Sequence, residues 1–181
     1  RLSLVGSEMC IRDRYNLKTK ERKLLKEQEI PSGHNSDDYI VERLECSSHD
    51  NRLIPLTITR HKNTPVDGSA NLLLYGYGSY GSSMTPNFSS TRLSLIGRDI
   101  IWVTAHIRGG MEKGMKWWKE GKLLNKKNTF EDYIAVAKFL IEKKYTSKGK
   151  IIGMGGSAGG LLMGAVVNKN PELFKGIVMA V

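Results

Sequence analysis

This sequence has little of what builds a cross-linked or metal-bound protein. Of its 181 residues only Cys10 and Cys46 are cysteines, too few for a disulfide framework or a thiolate metal site. Such sparse use favours a reducing compartment. The four histidines, His34, His49, His61 and His106, show no metal-ligand spacing. No apolar run approaches the roughly 20 residues of a membrane span. The opening RLSLVGSEMCIRDR has only a weak apolar patch and ends in charges, unlike a signal peptide. An initial Met is lacking too, and the chain reads as a fragment.

Acidic residues are also in short supply. Lys and Arg number 28 against 18 Asp and Glu, a formal net charge of +10. A basic module binding nucleic acid or acidic partners is therefore one reading. Against it, the lysines are spread over 18–26, 113–127 and 138–150 and alternate with acids, as in KERKLLKEQE. No aromatic-glycine RNA motif or helix-turn-helix pattern accompanies them, so a solvated lysine-rich surface is the expectation. The hydrophobic content of 40% is ordinary for a globular domain, and the length suffices for a real core.

What is present is an alternation of strands and helices. Residues 1–14 resemble translated sequencing-adapter sequence and are set aside as non-native. Residues 15–30, YNLKTKERKLLKEQEI, fit either a charged helix or two short strands around Lys18-Thr19-Lys20-Glu21. A linker, PSGHNS, follows. YIVERLEC (39–46) and RLIPLTIT (52–59) predict a hairpin, and the apolar runs ANLLLYG (70–76) and DIIWVTA (99–105) predict buried strands. A helix is expected over 88–96 and a loop over 108–121. Asn128 or Thr129 is expected to cap a second helix, with Glu131 and Asp132 completing a capping box. Its apolar face is Phe130, Ile134, Ala137, Leu140 and Ile141. A strand at 151–154, a helix over 160–168, a short helical link at 171–174 and a strand from Gly176 complete the pattern. The fold class is α/β with a mostly parallel sheet.

The stretch GMGGSAGGLLMGA, residues 153–165, carries the chemistry. Gly155-Gly156-Ser157-Ala158-Gly159 matches G-x-S-x-G between a strand and a helix, the nucleophile elbow. Ser157 is the candidate nucleophile, and the Ala158 N–H points where an oxyanion would form. The competing reading is a phosphate-holding glycine turn. Gly153-Gly155-Ala158 fits G-x-G-x-x-G only with Ala in the last place. The acidic residue expected about 20 positions on is lacking, apart from Glu172 at a helix start, and no Gly-Lys-Ser/Thr is present.

A nucleophilic serine needs a base, and in α/β-hydrolases the order is Ser, then Asp or Glu, then His. All four histidines precede Ser157, and the 24 residues after it hold one acid, Glu172, and no histidine. His106, after a buried strand, is the best upstream candidate, although a histidine at a strand end is more often only a loop residue. The expectation is that base and acid lie beyond Val181.

Several motifs in order carry a family resemblance: LLLYGYGSYG (72–81), RLSL (92–95), HIRGG (106–110), GKLLNKKNTFEDY (121–133), MGGSAGGLLMG (154–164) and NPELF (170–174). From about Tyr39 onward the chain resembles the catalytic domain of the prolyl oligopeptidase family of serine peptidases. YGYGSYG and GGSAGG favour its oligopeptidase B branch. The resemblance implies an α/β-hydrolase domain covered by a β-propeller, with 15–38 as the end of the propeller and its linker, and 39–181 as the first part of the hydrolase domain. It implies that Tyr77 donates its hydroxyl to the oxyanion hole. It also implies a cytoplasmic enzyme cleaving short peptides after Arg or Lys, without cofactor, metal, membrane or nucleic acid. Proline-specific, acyl-peptide-releasing and carboxylesterase relatives share the fold. One departure is Met111, where the family often has a third glycine after Arg108-Gly109-Gly110. The chain alone, lacking the triad Asp and His, is expected to be inactive.

Overall fold

The computed structural model describes residues 11–27, 29–30 and 33–180; of Ile11 only the backbone is described. The first ten residues of the segment set aside above lie outside this range. Strands β1 (Ile11–Tyr15) and β2 (Arg22–Glu27) form an antiparallel hairpin of their own. Of the two readings of 15–30, strand–turn–strand is the one found, except that the first strand reaches back over residues 11–14 of the segment set aside and takes only Tyr15 from this stretch. Asn16 Oδ1 accepts the N–H groups of Lys18 and Thr19, and Lys20 takes a φ of 60°. This asparagine-centred turn ends any helix before it begins.

The remaining strands make one six-stranded sheet in the order β3-β4-β6-β5-β7-β8. β3 (Tyr39–Ser47) and β4 (Leu53–His61) are the expected hairpin, antiparallel to each other, and β4 runs antiparallel to β6 (Ile101–Ala105). β6, β5 (Leu72–Tyr75), β7 (Ile151–Gly156) and β8 (Phe174–Ala180) are parallel. The apolar runs thus occupy the middle of the sheet, where both faces are covered.

Helices cover the two faces. α3 (Lys126–Glu142) and α4 (Ala158–Lys169) pack on one side and against each other. Tyr133, Ile134, Val136, Ala137 and Leu140 of α3 are buried there with Leu162, Met163 and Val166 of α4. Phe130 and Ile141, expected on the apolar face, pack at its margin. Side chains alternate along a strand, so Trp102 faces away from its neighbour Val103. On that opposite side α1 (Ser90–Ile96) lays Arg92 over the Trp102 ring, 4.6 Å from its centre.

Two expectations need correction. Helix α3 starts at Lys126, not after Asn128 or Thr129, because a 3-10 turn at Leu123–Asn125 runs directly into it. Thr129 does not cap; its hydroxyl donates to the carbonyls of Arg108 and Gly121, tying the helix to the loop beside it. Within the loop expected at 108–121 lies a short helix, α2 (Met115–Lys119), with Trp117 buried.

Candidate active site

The parallel strands all end on one edge of the sheet, the edge where open α/β sheets place their ligand sites. Tyr77 follows β5, His106 follows β6 and Ser157 follows β7. Ser157 itself occupies the sharp turn between β7 and α4, with φ 51° and ψ −122°. Left-handed φ values are costly for a residue with a Cβ, and the surroundings hold this one in place. Its N–H donates to the Ala180 carbonyl at 2.6 Å, and its carbonyl accepts from the Gly160 N–H at 2.8 Å. The glycines are required by close approach. A Cβ on Gly155 would stand 2.4 Å from the Gly159 carbonyl oxygen. The Ser157 side chain is left exposed.

Ala158 is the first residue of α4. Its N–H has no acceptor inside the helix and lies at the positive end of the helix dipole. Tyr77 reaches the same place from β5. Its ring packs against the start of α4, with Cδ2 3.5 Å from where a Cβ on Gly159 would sit. The structure therefore brings Ser157, Ala158 and Tyr77 onto one corner of the sheet edge.

His106 does not join them. It is 1% exposed, its Nε2 lies 2.9 Å from Thr57 Oγ1, and its Nδ1 is 3.9 Å from the buried carboxylate of Glu112. The other histidines are engaged elsewhere: His49 with Ser48, His61 with the Asn63 N–H, and His34 against the rings of Tyr39 and Phe88.

A buried ion-pair network supports the loop that faces the Tyr77 turn, and sequence reasoning missed it. Arg108, 1% exposed, donates from Nε and Nη2 to the two oxygens of fully buried Asp132, and from Nη1 and Nη2 to Asp50. Burial opposes its charge, but the bonds to Asp132 and Asp50 outweigh that, and the guanidinium is held above the ordinary arginine range. Asp132 also accepts from the Arg108 N–H and the Ser48 hydroxyl. The signal in the sequence was an acid four residues before Val136, on the stripe that α3 buries. Met111 bears on the same region. Its Cε sits 2.7 Å from where a Cβ on Gly81 would be, so it packs on the turn that follows Tyr77.

Beside the elbow is a cavity of about 470 Å³ whose walls include Tyr80, Trp118, Lys122, Lys126, Ala158 and Leu161. Lys122 Nζ lies 3.6 Å from the centre of the Trp118 ring. Among the described residues no carboxylate lines this cavity, so it does not suit a basic side chain. Among the described residues no His, Cys, Asp and Glu group could hold a metal ion, and no helix is long and apolar enough to cross a membrane.

Comparison with known proteins places the chain in a family. The chain is 48% identical over 167 residues to dipeptidyl aminopeptidase BI of Pseudoxanthomonas mexicana, covering 92% of this chain and 23% of that protein. It is 45% identical over 166 residues to protease 2 of Moraxella lacunata, covering 92% and 24%. The solved structure of oligopeptidase B from Leishmania major superposes with a TM-score of 0.86 at 41% identity, over 93% of this chain and 24% of that one. The chain thus spans about a quarter of the relatives it matches. The model of the prolyl oligopeptidase family matches residues 86–181, more than half of the chain. With an elbow serine at the end of a central parallel strand and a fold shared with oligopeptidase B, this chain belongs to the prolyl oligopeptidase family.

Proposed function

We propose that the full-length protein carrying this segment is a cytoplasmic serine peptidase that cleaves short peptides after Arg or Lys through an acyl-enzyme on Ser157. The observation that carries the reading is the strained, exposed Ser157 between β7 and α4, beside the Ala158 N–H at the helix start and the ring of Tyr77. In this mechanism Ser157 Oγ attacks the scissile carbonyl carbon as a histidine takes its proton. The Ala158 N–H and the Tyr77 hydroxyl donate to the oxyanion. The amine then leaves with the proton, and water releases the acyl group by the same steps in reverse order of partners.

We place the histidine and its aspartate outside residues 1–181, because each histidine of this chain is held elsewhere. The acids that would hold an Arg or Lys side chain belong outside it too, since the cavity beside the elbow carries lysines instead. Residues 15–38, which include β2, are read as the end of a β-propeller and its linker, a domain that limits entry to short peptides.

The test is side-by-side turnover of Arg-, Pro- and acyl-ester substrates by the full-length protein. Fastest turnover after Arg or Lys is expected, abolished in Ser157→Ala, with no turnover by the 181-residue chain alone. Preference for Pro or for the acyl ester would replace the specificity proposed here. Activity that survives Ser157→Ala would remove the mechanism.

A further inference from the structure

The first residue of α3 is a lysine, an unfavourable place for a cation because the helix dipole is positive at that end. Lys126 is nonetheless turned inward. Its Nζ donates to the Gly78 carbonyl at 2.6 Å and to the Ser79 hydroxyl at 2.7 Å. Among the described residues it has no carboxylate partner within ion-pair distance, and burial lowers its pKa from the ordinary lysine value. A half-buried cation without an acid costs stability, so its two acceptors are the feature to explain. Both belong to the turn directly after Tyr77.

That turn is gripped from its other sides by bulk. Gly78 has a φ of 64°, and a Cβ there would stand 2.4 Å from Thr129 Cγ2, 2.9 Å from Ile107 Cγ1 and 3.0 Å from the Arg108 carbonyl oxygen. A Cβ on Gly109 would stand 2.0 Å from the Gly78 carbonyl oxygen. Gly81 N–H donates to the Gly109 carbonyl at 2.9 Å. These contacts press on the turn, while the lysine pulls on its carbonyl. The peptide so fixed adjoins Tyr77, whose ring lies on the start of α4.

We propose that Lys126 is a positioning residue for the oxyanion donor: its ammonium clamps Gly78 and Ser79 and thereby fixes the Tyr77 hydroxyl relative to Ser157. This rests on the reading of Ser157 and Tyr77 given above. A donor contributes only when it is aimed at where charge develops, and a small misplacement is enough to lower the rate.

A double-mutant cycle in the full-length enzyme tests it. Lys126→Met is expected to lower kcat about tenfold with KM nearly unchanged, less than the roughly 10²–10³ lost with an oxyanion donor itself. In a Tyr77→Phe background the same substitution is expected to cost less than about twofold, because the donor it positions is already gone. Lys126→Gln keeps an N–H donor and is expected to recover part of the rate; it also serves if the Met variant fails to fold. An undiminished kcat in the single variants, or losses that multiply across the cycle, would overturn the proposal. A wild-type enzyme that turns over no peptide would instead overturn the peptidase reading beneath it.

Discussion

Ser157 holds a φ of 51°, a value that favours glycine. Strain of this kind costs about 1–3 kcal/mol, and the elbow accepts it to expose the hydroxyl. Ser157→Gly is therefore expected to raise the stability of the chain by about 1 kcal/mol in urea unfolding while removing the hydroxyl proposed as nucleophile. The neighbouring glycines separate into those the turn requires and those it does not. Gly155 has the Gly159 carbonyl 2.4 Å from any added Cβ, whereas Gly164, inside α4, has nothing within 4 Å. Gly155→Ala is expected to destabilise by about 3 kcal/mol, since two backbone segments must part. Gly164→Ala should stabilise by about 0.5–1 kcal/mol through helix propensity. Equal effects at the two positions in a denaturation series would show that the close approach at the elbow does not matter. The need for small residues around Ser157 was legible in the sequence, because G-x-S-x-G states it directly in the chain.

At the scale of elements, α3 does more than cover the sheet. Through Asp132 it holds Arg108, through Thr129 it holds the carbonyls of Arg108 and Gly121, and through Tyr133 it donates to the Leu74 carbonyl at 2.6 Å. Asp132→Asn leaves a buried guanidinium short of a counter-charge and is expected to cost about 3–5 kcal/mol. Asp50→Asn should cost less than about 1 kcal/mol, because the Asp50 side chain is 36% exposed and screened by water. The pH dependence has a definite sign. Burial alone would raise the Asp50 pKa, but the bonds from Arg108 outweigh it and the carboxyl is held below its ordinary value. Its contribution is present in full above the unfolded pKa of about 3.9 and is lost as pH falls through the lower folded value. The stability gap between wild type and Asp50→Asn should therefore be flat near neutral pH and close in acid. The capping box expected for this helix failed for the same reason that the network was missed. Spacing shows an acid three residues after Thr129, but whether that acid turns to its own helix end or to a buried arginine depends on a loop 24 positions upstream.

At the scale of the whole molecule, the hairpin and the six-stranded sheet are separate sheets, and β2 is exposed along its length. Deleting residues 1–30 is expected to leave the melting temperature of the sheet within about 4 °C, the shift that roughly 1 kcal/mol produces; a larger fall would show that the hairpin supports the sheet. The net charge of +10 and the two lysines, Lys122 and Lys126, on the cavity beside the elbow bear on what approaches the elbow but not on the fold. By itself the sequence determined the α/β alternation, the buried central strands and the elbow serine, because hydrophobic period and glycine spacing are local properties that a chain carries wherever it goes. Only the tertiary structure decided that Tyr77 lies on the start of α4, that His106 turns away to Thr57, that Asp132 answers Arg108 and that Lys126 answers Gly78. Those pairings depend on which strand ends meet along one edge of the sheet, and strand order is set by burial and packing over the whole domain.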